Sequence, residues 1–384
     1  MRRVFLIEAQ IKQYRLPFYE QLFSILEADD IELKVGYSDP SKVEASTNDN
    51  CDLPPDYGVK VPAYWLAGER LLFQPLLRPA MTADMVILEQ GNKFLLNCLL
   101  LPISRVRQRR MAFWGMGANR QAATGSLPER FRRLTTSWVS WWFAYTAGTA
   151  EYVANLGFPA ERITNVSNST DSRAFRALVA EIGESEKLRL RAELGIGRED
   201  PVAVFCGRLR PTKNLPFLLQ AARLIKQRCP RVHLIVIGAG STKFEPAEGN
   251  GEASWIHFMG AKFGRDKAAL FSLSDIMLMP GAVGLVIVDA FAAGLPLLST
   301  RLAIHGPEID YLEENSNGLL CEPNVAAFAD MTASLLLDRD RLARLQAGAR
   351  AAGSRYTIEN MAERFRTGIH ACLESAPDAA AVTA

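Results

Sequence analysis

Apolar runs of strand length and amphipathic stretches of helix length alternate along most of the chain. In the first half, residues 4–8, 31–37, 85–89 and 111–114 are short, largely apolar runs. Such runs predict buried strands, and the longer stretches between them, for instance 17–26, predict crossover helices. An aromatic-rich stretch from about 128 to 144 predicts a long helix. A short helix is expected to end at Gly157, ahead of Pro159, because glycine tolerates the left-handed conformation that closes helices. A brief strand at 163–166 and a polar turn end this half. The charged, helical stretch 173–200 reads as the link between the two halves.

The alternation restarts more clearly in the second half. Residues 202–206, 232–238, 256–258, 276–279 and 296–299 predict strands. Residues 215–227 and 285–293 predict helices, and further helices from residue 325 finish the chain. This order specifies α/β layers built on parallel sheets. A chain of 384 residues is long for one domain. Two domains are expected, 1–172 and 173–355, with a segment 356–384 whose helix packs back toward the first and whose tail frays.

Composition narrows the class without naming it. At 48% hydrophobic and 22% charged residues the chain is ordinary for a globular protein. A net charge of +2 supplies no field for nucleic acid, and no nucleic-acid partner is expected. Cys51, Cys98, Cys206, Cys229, Cys321 and Cys372 are scattered, with no Cys-x-x-Cys pair. That pattern argues for reduced thiols in a cytoplasmic protein and against a zinc site or a disulfide framework. The apolar run 4–7 is cut short by Glu8, too early for the core of a signal peptide. The run 94–103 contains Asn97 and Pro102 and is too short to cross a bilayer, so no transmembrane helix is expected.

Two loops carry candidate chemistry. The first, Gly207-Arg208-Leu209-Arg210-Pro211-Thr212-Lys213-Asn214, comes after a buried strand and opens a helix. In an open parallel sheet, ligands sit beyond the carboxyl ends of the strands, where this loop must lie. Arg208 can fork onto phosphate oxygens, and Lys213 adds a point charge. The plain alternative is a solvated basic loop. The second loop, from Pro280 through Gly281 and Gly284 to Asp289, is a glycine-rich turn between a strand and a helix. Glycine lets a ligand approach the backbone, and amides at a helix start suit an anion. Asp289 lies in an otherwise apolar helix, so its carboxylate needs partners. Sugar hydroxyls would serve, and so would a neighbouring Lys or Arg.

These loops resemble the retaining glycosyltransferases of family four. VFCGRLRPTKNLPFLLQAA is similar to that family's strand, Gly-Arg, Lys and helix. DIMLMPGAVGLVIVDAFAAGLPLLST is similar to its strand, glycine turn and acidic helix. HGPEIDYLEENSNGLLCEPN and the turn NVSNSTDSRAF resemble flanking stretches of the same family. The resemblance covers roughly residues 144–324 and implies the GT-B fold, two Rossmann-like domains facing each other across a cleft. It implies an acceptor-binding first domain and a second domain that binds a nucleotide-diphosphate sugar, transferred with retention and without a metal or other cofactor. On the resemblance, Arg208 and Lys213 neutralise the leaving diphosphate. The amides of Gly284, Leu285 and Val286 cradle its distal phosphate. Asp289 replaces a family Glu that binds ribose hydroxyls. Gly207, Gly281 and Val283 shape the same loops, and Met259 and Lys262 lie near the base.

The sequence departs from the family at Gly281, where a sugar-contacting Glu usually stands, and in the first domain, which has no His. The loop Trp114-Gly115-Met116-Gly117 is the place to look for a substitute. Asp338-Arg339-Asp340 has the form of a metal motif from another glycosyltransferase fold, but it falls after the ligand loops and reads as solvated surface. The expected acceptor is a saccharide or lipid-linked saccharide, in bacterial surface or exopolysaccharide synthesis. Arg105, Arg107, Arg109 and Arg110, with Arg130, Arg132 and Arg133 ahead of Trp138, Trp141 and Trp142, suit the anionic inner face of the plasma membrane. Buried tryptophans beside solvated arginines fit equally well. The alternatives are a sugar-nucleotide epimerase or hydrolase on the same scaffold, and a non-catalytic partner subunit. A weaker one is a dinucleotide dehydrogenase, suggested by Gly238-Ala239-Gly240 but lacking a third glycine at Lys243.

Overall fold

The computed structural model describes residues 1–45, 49–107, 109–117, 134–240, 254–302 and 304–375. The chain forms two compact units, one of residues 1–170 and 358–384, the other of residues 171–357.

The strands of the first unit are β1 (Arg2–Ile7), β2 (Ile31–Ser38), β3 (Gly58–Val61), β4 (Tyr64–Leu66), β5 (Leu71–Phe73), β6 (Met85–Glu89), β7 (Arg110–Gly115), β8 (Trp141–Ala144) and β9 (Ile163–Asn165). Seven make one sheet in the order β3-β2-β1-β6-β7-β8-β9, and β4 and β5 form a separate hairpin. All pairings within the large sheet are parallel. Both faces are covered, which is why Val4, Phe5, Leu6 and Ile7 are all buried and show no alternation. The helix Leu16–Glu27 and the C-terminal helix Ile358–Glu374 share one face. Phe365 stacks on Phe143 of β8 at 4.6 Å between ring centroids. Gly368 permits that approach, since a Cβ there would lie 2.6 Å from the Phe143 ring and 2.5 Å from Thr164 Oγ1.

The second unit contains β10 (Val202–Cys206), β11 (His233–Ile237), β12 (Ile256–Gly260), β13 (Ile276–Met279), β14 (Leu297–Thr300) and β15 (Gly318–Cys321), in the order β12-β11-β10-β13-β14-β15. These pairings are also parallel. In each unit the strand order reverses direction beside the first strand. The reversal falls between β1 and β6 in one and between β10 and β13 in the other.

Three expectations change. The end of the stretch read as an aromatic helix is strand β8, preceded by a single 3-10 turn at Thr136–Trp138. A run buried on both faces carries no period by which helix and strand differ. Residues 118–133, including Pro128, Arg130, Arg132 and Arg133, lie outside the described residues, as do the side chains of Arg105 and Arg107, Lys243 and the tail from residue 376. Trp141 and Trp142 are core residues, 6% and 0% exposed, so they cannot form the aromatic part of a membrane face. Arg109 donates to Ala83 O at 3.1 Å, and Arg110 donates to the carbonyls of Cys372 and Ser375. Residues 173–200 are part of the second unit and not a linker. The helix Ser172–Ala180 sets Phe175 edge-on against Phe271 at 5.3 Å.

All six cysteines are free. No described helix is long and apolar enough to cross a membrane.

Candidate functional site

The loop after β10 runs through a 3-10 turn at Pro211–Lys213 to Asn214, whose φ of 53° is left-handed, and then enters the helix Leu215–Arg228. The left-handed residue turns the chain sharply, so the Lys213 side chain folds back over Gly207. Its Cε lies 3.5 Å from where a Cβ on Gly207 would stand. The Lys213 ammonium donates to Ala282 O at 2.5 Å. Burial pushes its pKa below the ordinary lysine value. Arg208 is half-buried on the same loop.

The loop after β13 is stitched to the first. Ala282 N–H donates to Thr212 O at 2.8 Å. Gly281 lies so close that a Cβ there would sit 2.4 Å from the Lys213 carbonyl carbon and 2.5 Å from Thr212 O. No side chain fits at 281 while the two loops touch. Val283 is buried and its backbone is committed inside the fold. Its N–H donates to His305 Nδ1 at 3.0 Å, and its carbonyl accepts from Gly306 N–H at 2.8 Å. His305 in turn donates from Nε2 to Thr300 O at 2.6 Å, which assigns its tautomer. Gly284, unlike Gly281, is open, since nothing lies within 4 Å of a Cβ placed on it. Leu285 and Val286 come next at the start of the helix Val286–Ala292, both half-buried.

Asp289, in the first turn of that helix, pairs with Lys267 of the helix Gly264–Ser272, Nζ to Oδ2, at 2.6 Å. Lys267 also lies over the rings of Phe175 and Phe271, at 4.9 and 5.4 Å from their centroids. Burial works against its charge, but Asp289 and Cys206 together outweigh burial and the Lys267 pKa is raised. Of the two kinds of partner that would suit Asp289, the protein itself supplies the lysine. Met259, half-buried near the end of β12, and Lys262, just beyond it, stand two strands from β10. Lys213 and the 281–284 turn are therefore brought into direct contact, and Asp289 is anchored one helical turn further on.

Sequence reasoning misses Lys267 and His305. Lys267 is the last of three consecutive charged residues and adjoins the buried run Ala268 to Phe271, a signal that could have found it. His305 gives no such signal, since its role depends on a loop 22 residues earlier. Asp338 caps the helix Arg339–Arg355, accepting from Arg341 N–H at 2.9 Å. Gly238 and Gly240 face the carbonyls of Gly207 and Leu209 at 2.0 and 2.2 Å from their would-be Cβ positions. Close strand-end packing accounts for that pair without a dinucleotide. In the first unit, Gln90 holds the Trp114–Gly117 turn, with its Oε1 accepting from Gly117 N–H at 2.9 Å, and Met116 is 46% exposed. His370 belongs to this unit too, but it binds Asp29 after the helix Leu16–Glu27, at the opposite end of the strands.

Residues 200–338, which hold both loops and Asp289, match the family described as glycosyl transferases group 1. The chain is 27% identical over 245 residues to a D-inositol 3-phosphate glycosyltransferase of Nocardia farcinica, covering 59% of this chain and 52% of that one. It is 30% identical over 206 residues to a GDP-mannose-dependent alpha-(1-6)-phosphatidylinositol monomannoside mannosyltransferase of Mycobacterium tuberculosis, covering 50% and 51%. The chain thus spans about half the length of the curated relatives it matches. Among solved structures, Anabaena Alr3699/HepE in complex with UDP superposes with a TM-score of 0.68 at 17% identity, over 97% of this chain and 100% of that one. The two Rossmann-like units are those of the GT-B fold.

Proposed function

We propose that the chain is a glycosyltransferase that moves a sugar from a nucleotide-diphosphate donor to a saccharide or lipid-linked saccharide acceptor. The observation that carries this reading is the joined pair of loops at the β10–β13 switch point. Lys213, Arg208 and the open face at Gly284 stand together where α/β sheets bind anionic ligands. In this reading Arg208 and Lys213 take up the charge of the leaving diphosphate, the work a divalent ion does elsewhere. The amides of Gly284 and Leu285 approach its distal phosphate. The Asp289–Lys267 pair presents a fixed carboxylate to the ribose, and Met259 and Lys262 flank the base. Transfer proceeds with retention and without a metal. The names of the two relatives, one acting on an inositol phosphate and one on a phosphatidylinositol mannoside, support a polar or lipid-linked acceptor. They favour work at the inner face of the plasma membrane in building cell-surface glycans.

The test is a thermal-shift series with UDP, GDP, dTDP and ADP, with and without magnesium. A ligand that binds only the folded state raises the melting temperature. One nucleotide raising it in the absence of metal is expected. No shift with any of the four overturns the donor site.

A further inference from the structure

The turn at 281–284 is held by a residue that neither candidate loop contains. His305 lies beyond β14 and is 4% exposed. Both of its ring nitrogens are engaged. Nδ1 accepts from Val283 N–H at 3.0 Å, and Nε2 donates to Thr300 O at 2.6 Å. Three further bonds close the same corner. Gly306 N–H donates to Val283 O at 2.8 Å, Thr300 Oγ1 to Pro280 O at 2.7 Å, and Ser299 Oγ to Met279 O at 2.7 Å. One residue before Val283, Ala282 takes the Lys213 ammonium on its carbonyl and gives its N–H to Thr212 O. The imidazole thus fixes the stretch of backbone on which Lys213 rests.

This arrangement fits one protonation state. A carbonyl only accepts, so Nε2 carries a proton. A backbone N–H only donates, so Nδ1 carries none. A second proton would set Nδ1–H against Val283 N–H, two donors where one bond now stands. An imidazolium must therefore give up Val283, and a buried amide without an acceptor is costly. The charged groups on the surrounding elements are Arg301 after β14, Glu308 and Asp310 in the 3-10 turn Pro307–Tyr311, Lys213 across Ala282, and the Asp289–Lys267 pair. Arg301 is tied to Glu314 at 2.7 Å, and Asp289 to Lys267. Glu308 is 5% exposed, and its charge favours the charged form of Lys213. Glu308 would favour an imidazolium at 305 and Lys213 would oppose it, so the two hydrogen bonds decide for the neutral ring.

We propose that His305 is a positioning residue of the proposed donor site, that only its neutral form holds the turn to which Lys213 is fastened, and that acid weakens nucleotide binding by protonating this ring. The inference deepens the proposed function by naming a control on the same site, and it rests on that reading for the identity of the ligand. His305 acts through Val283 and Ala282 and not by touching the ligand. The sign follows from linkage. Proton and ligand favour opposite states of the turn, so affinity is full while the ring is neutral and falls as pH drops through its titration.

The experiment is calorimetric titration of the full chain with UDP, GDP, dTDP, ADP and inorganic pyrophosphate, at pH 8.0 and at pH 5.0. His305→Gln is the conservative variant. It offers an amide oxygen and an amide N–H in place of the two ring nitrogens, and it does not titrate. The ligand phosphates titrate alike in both samples, so the difference between the two proteins belongs to His305. Between the two pH values the wild type is expected to lose about threefold more affinity than His305→Gln. Equal losses overturn the proposal. A long-range proton–nitrogen NMR spectrum of the imidazole rings gives a readout that does not depend on how well glutamine substitutes. The signal missing from His305→Gln assigns the ring. A neutral ring protonated on Nε2 is expected in the nucleotide-bound wild type at pH 7, and an imidazolium there overturns the proposal. Nucleotide binding with equal losses removes this inference and keeps the donor site. If none of the four nucleotides binds, the nucleotide reading falls and pyrophosphate carries the comparison. If pyrophosphate fails to bind as well, both fall.

Discussion

The Lys267 ammonium lies 2.6 Å from Asp289 Oδ2, and the two side chains are only 17% and 14% exposed. Asp289 therefore enters its helix already neutralised, and its carboxylate is oriented before any ligand arrives. Removing one partner strands the other in a poorly solvated place. Lys267→Met is expected to cost on the order of 3 kcal/mol of stability, the scale for breaking a buried pair. The double variant Lys267→Met/Asp289→Leu should recover most of that loss, because two apolar groups leave no unpaired charge. Urea denaturation of the wild type, both single variants and the double variant measures this coupling. Additive single effects with no recovery would show that the pair is not linked.

Any side chain placed at position 281 should damage the protein. A Cβ at Gly281 meets the Lys213 and Thr212 backbone at 2.4–2.5 Å, and backbone has no rotamer into which to withdraw. Gly281→Ala is the milder probe. Overpacking of this kind costs about 1–3 kcal/mol, and here it pushes apart the two loops that Ala282 N–H and Thr212 O join. A lower melting temperature and weaker nucleotide binding are expected together. An unchanged melting temperature in Gly281→Ala would mean that the loops do not need this contact.

The Glu8 carboxyl gives stability a pH dependence of known sign. Its ordinary value of 4.5 is raised to about 8 by burial and by Glu89, against the lowering effect of Arg15 and the Tyr19 hydroxyl. A carboxyl with a raised folded value favours folding fully below about pH 4.5, and that contribution is lost as pH climbs toward 8. The wild type should therefore lose stability between pH 5 and pH 8.5. Glu8→Gln, which stays neutral, should show a flatter profile and be the more stable of the two at pH 8.5. Urea midpoints at the two pH values test this. Parallel profiles would show that Glu8 ionises normally.

Much of the second unit could be read from sequence, and the reason is local. Val202–Cys206 and Ile276–Met279 are apolar runs bounded by turn residues, and the glycines beyond them mark where backbones meet. The first unit was harder. Trp141–Ala144 is buried on both faces and so has no period. Gly58–Val61 and the hairpin from Tyr64 to Phe73 are short and only partly buried. The two candidate loops, 207–214 and 280–289, were legible because the residues of each are adjacent in sequence. The Glu8–Glu89 pair was not, because its carboxyls lie 81 residues apart and only the pairing of β1 with β6 brings them together. Lys267 escaped for the same reason, 22 residues from the carboxylate it neutralises.

The strongest demand on the proposed donor site falls on Arg208 and Lys213. If they carry the developing diphosphate charge, their effect belongs to the transition state more than to the ground state. Losing one preorganised donor of this kind typically costs about 10²–10³ in turnover. Arg208→Ala and Lys213→Ala should each lower kcat on that scale with a smaller change in KM. Lys213 has a second duty, since its ammonium holds Ala282 O. Lys213→Ala is therefore also expected to lower the melting temperature, whereas Arg208→Ala should change it less. Donor turnover measured with the nucleotide that the thermal-shift series selects gives both constants. Near-normal kcat in both variants would remove these two residues from the chemistry and return the loop to a solvated basic turn.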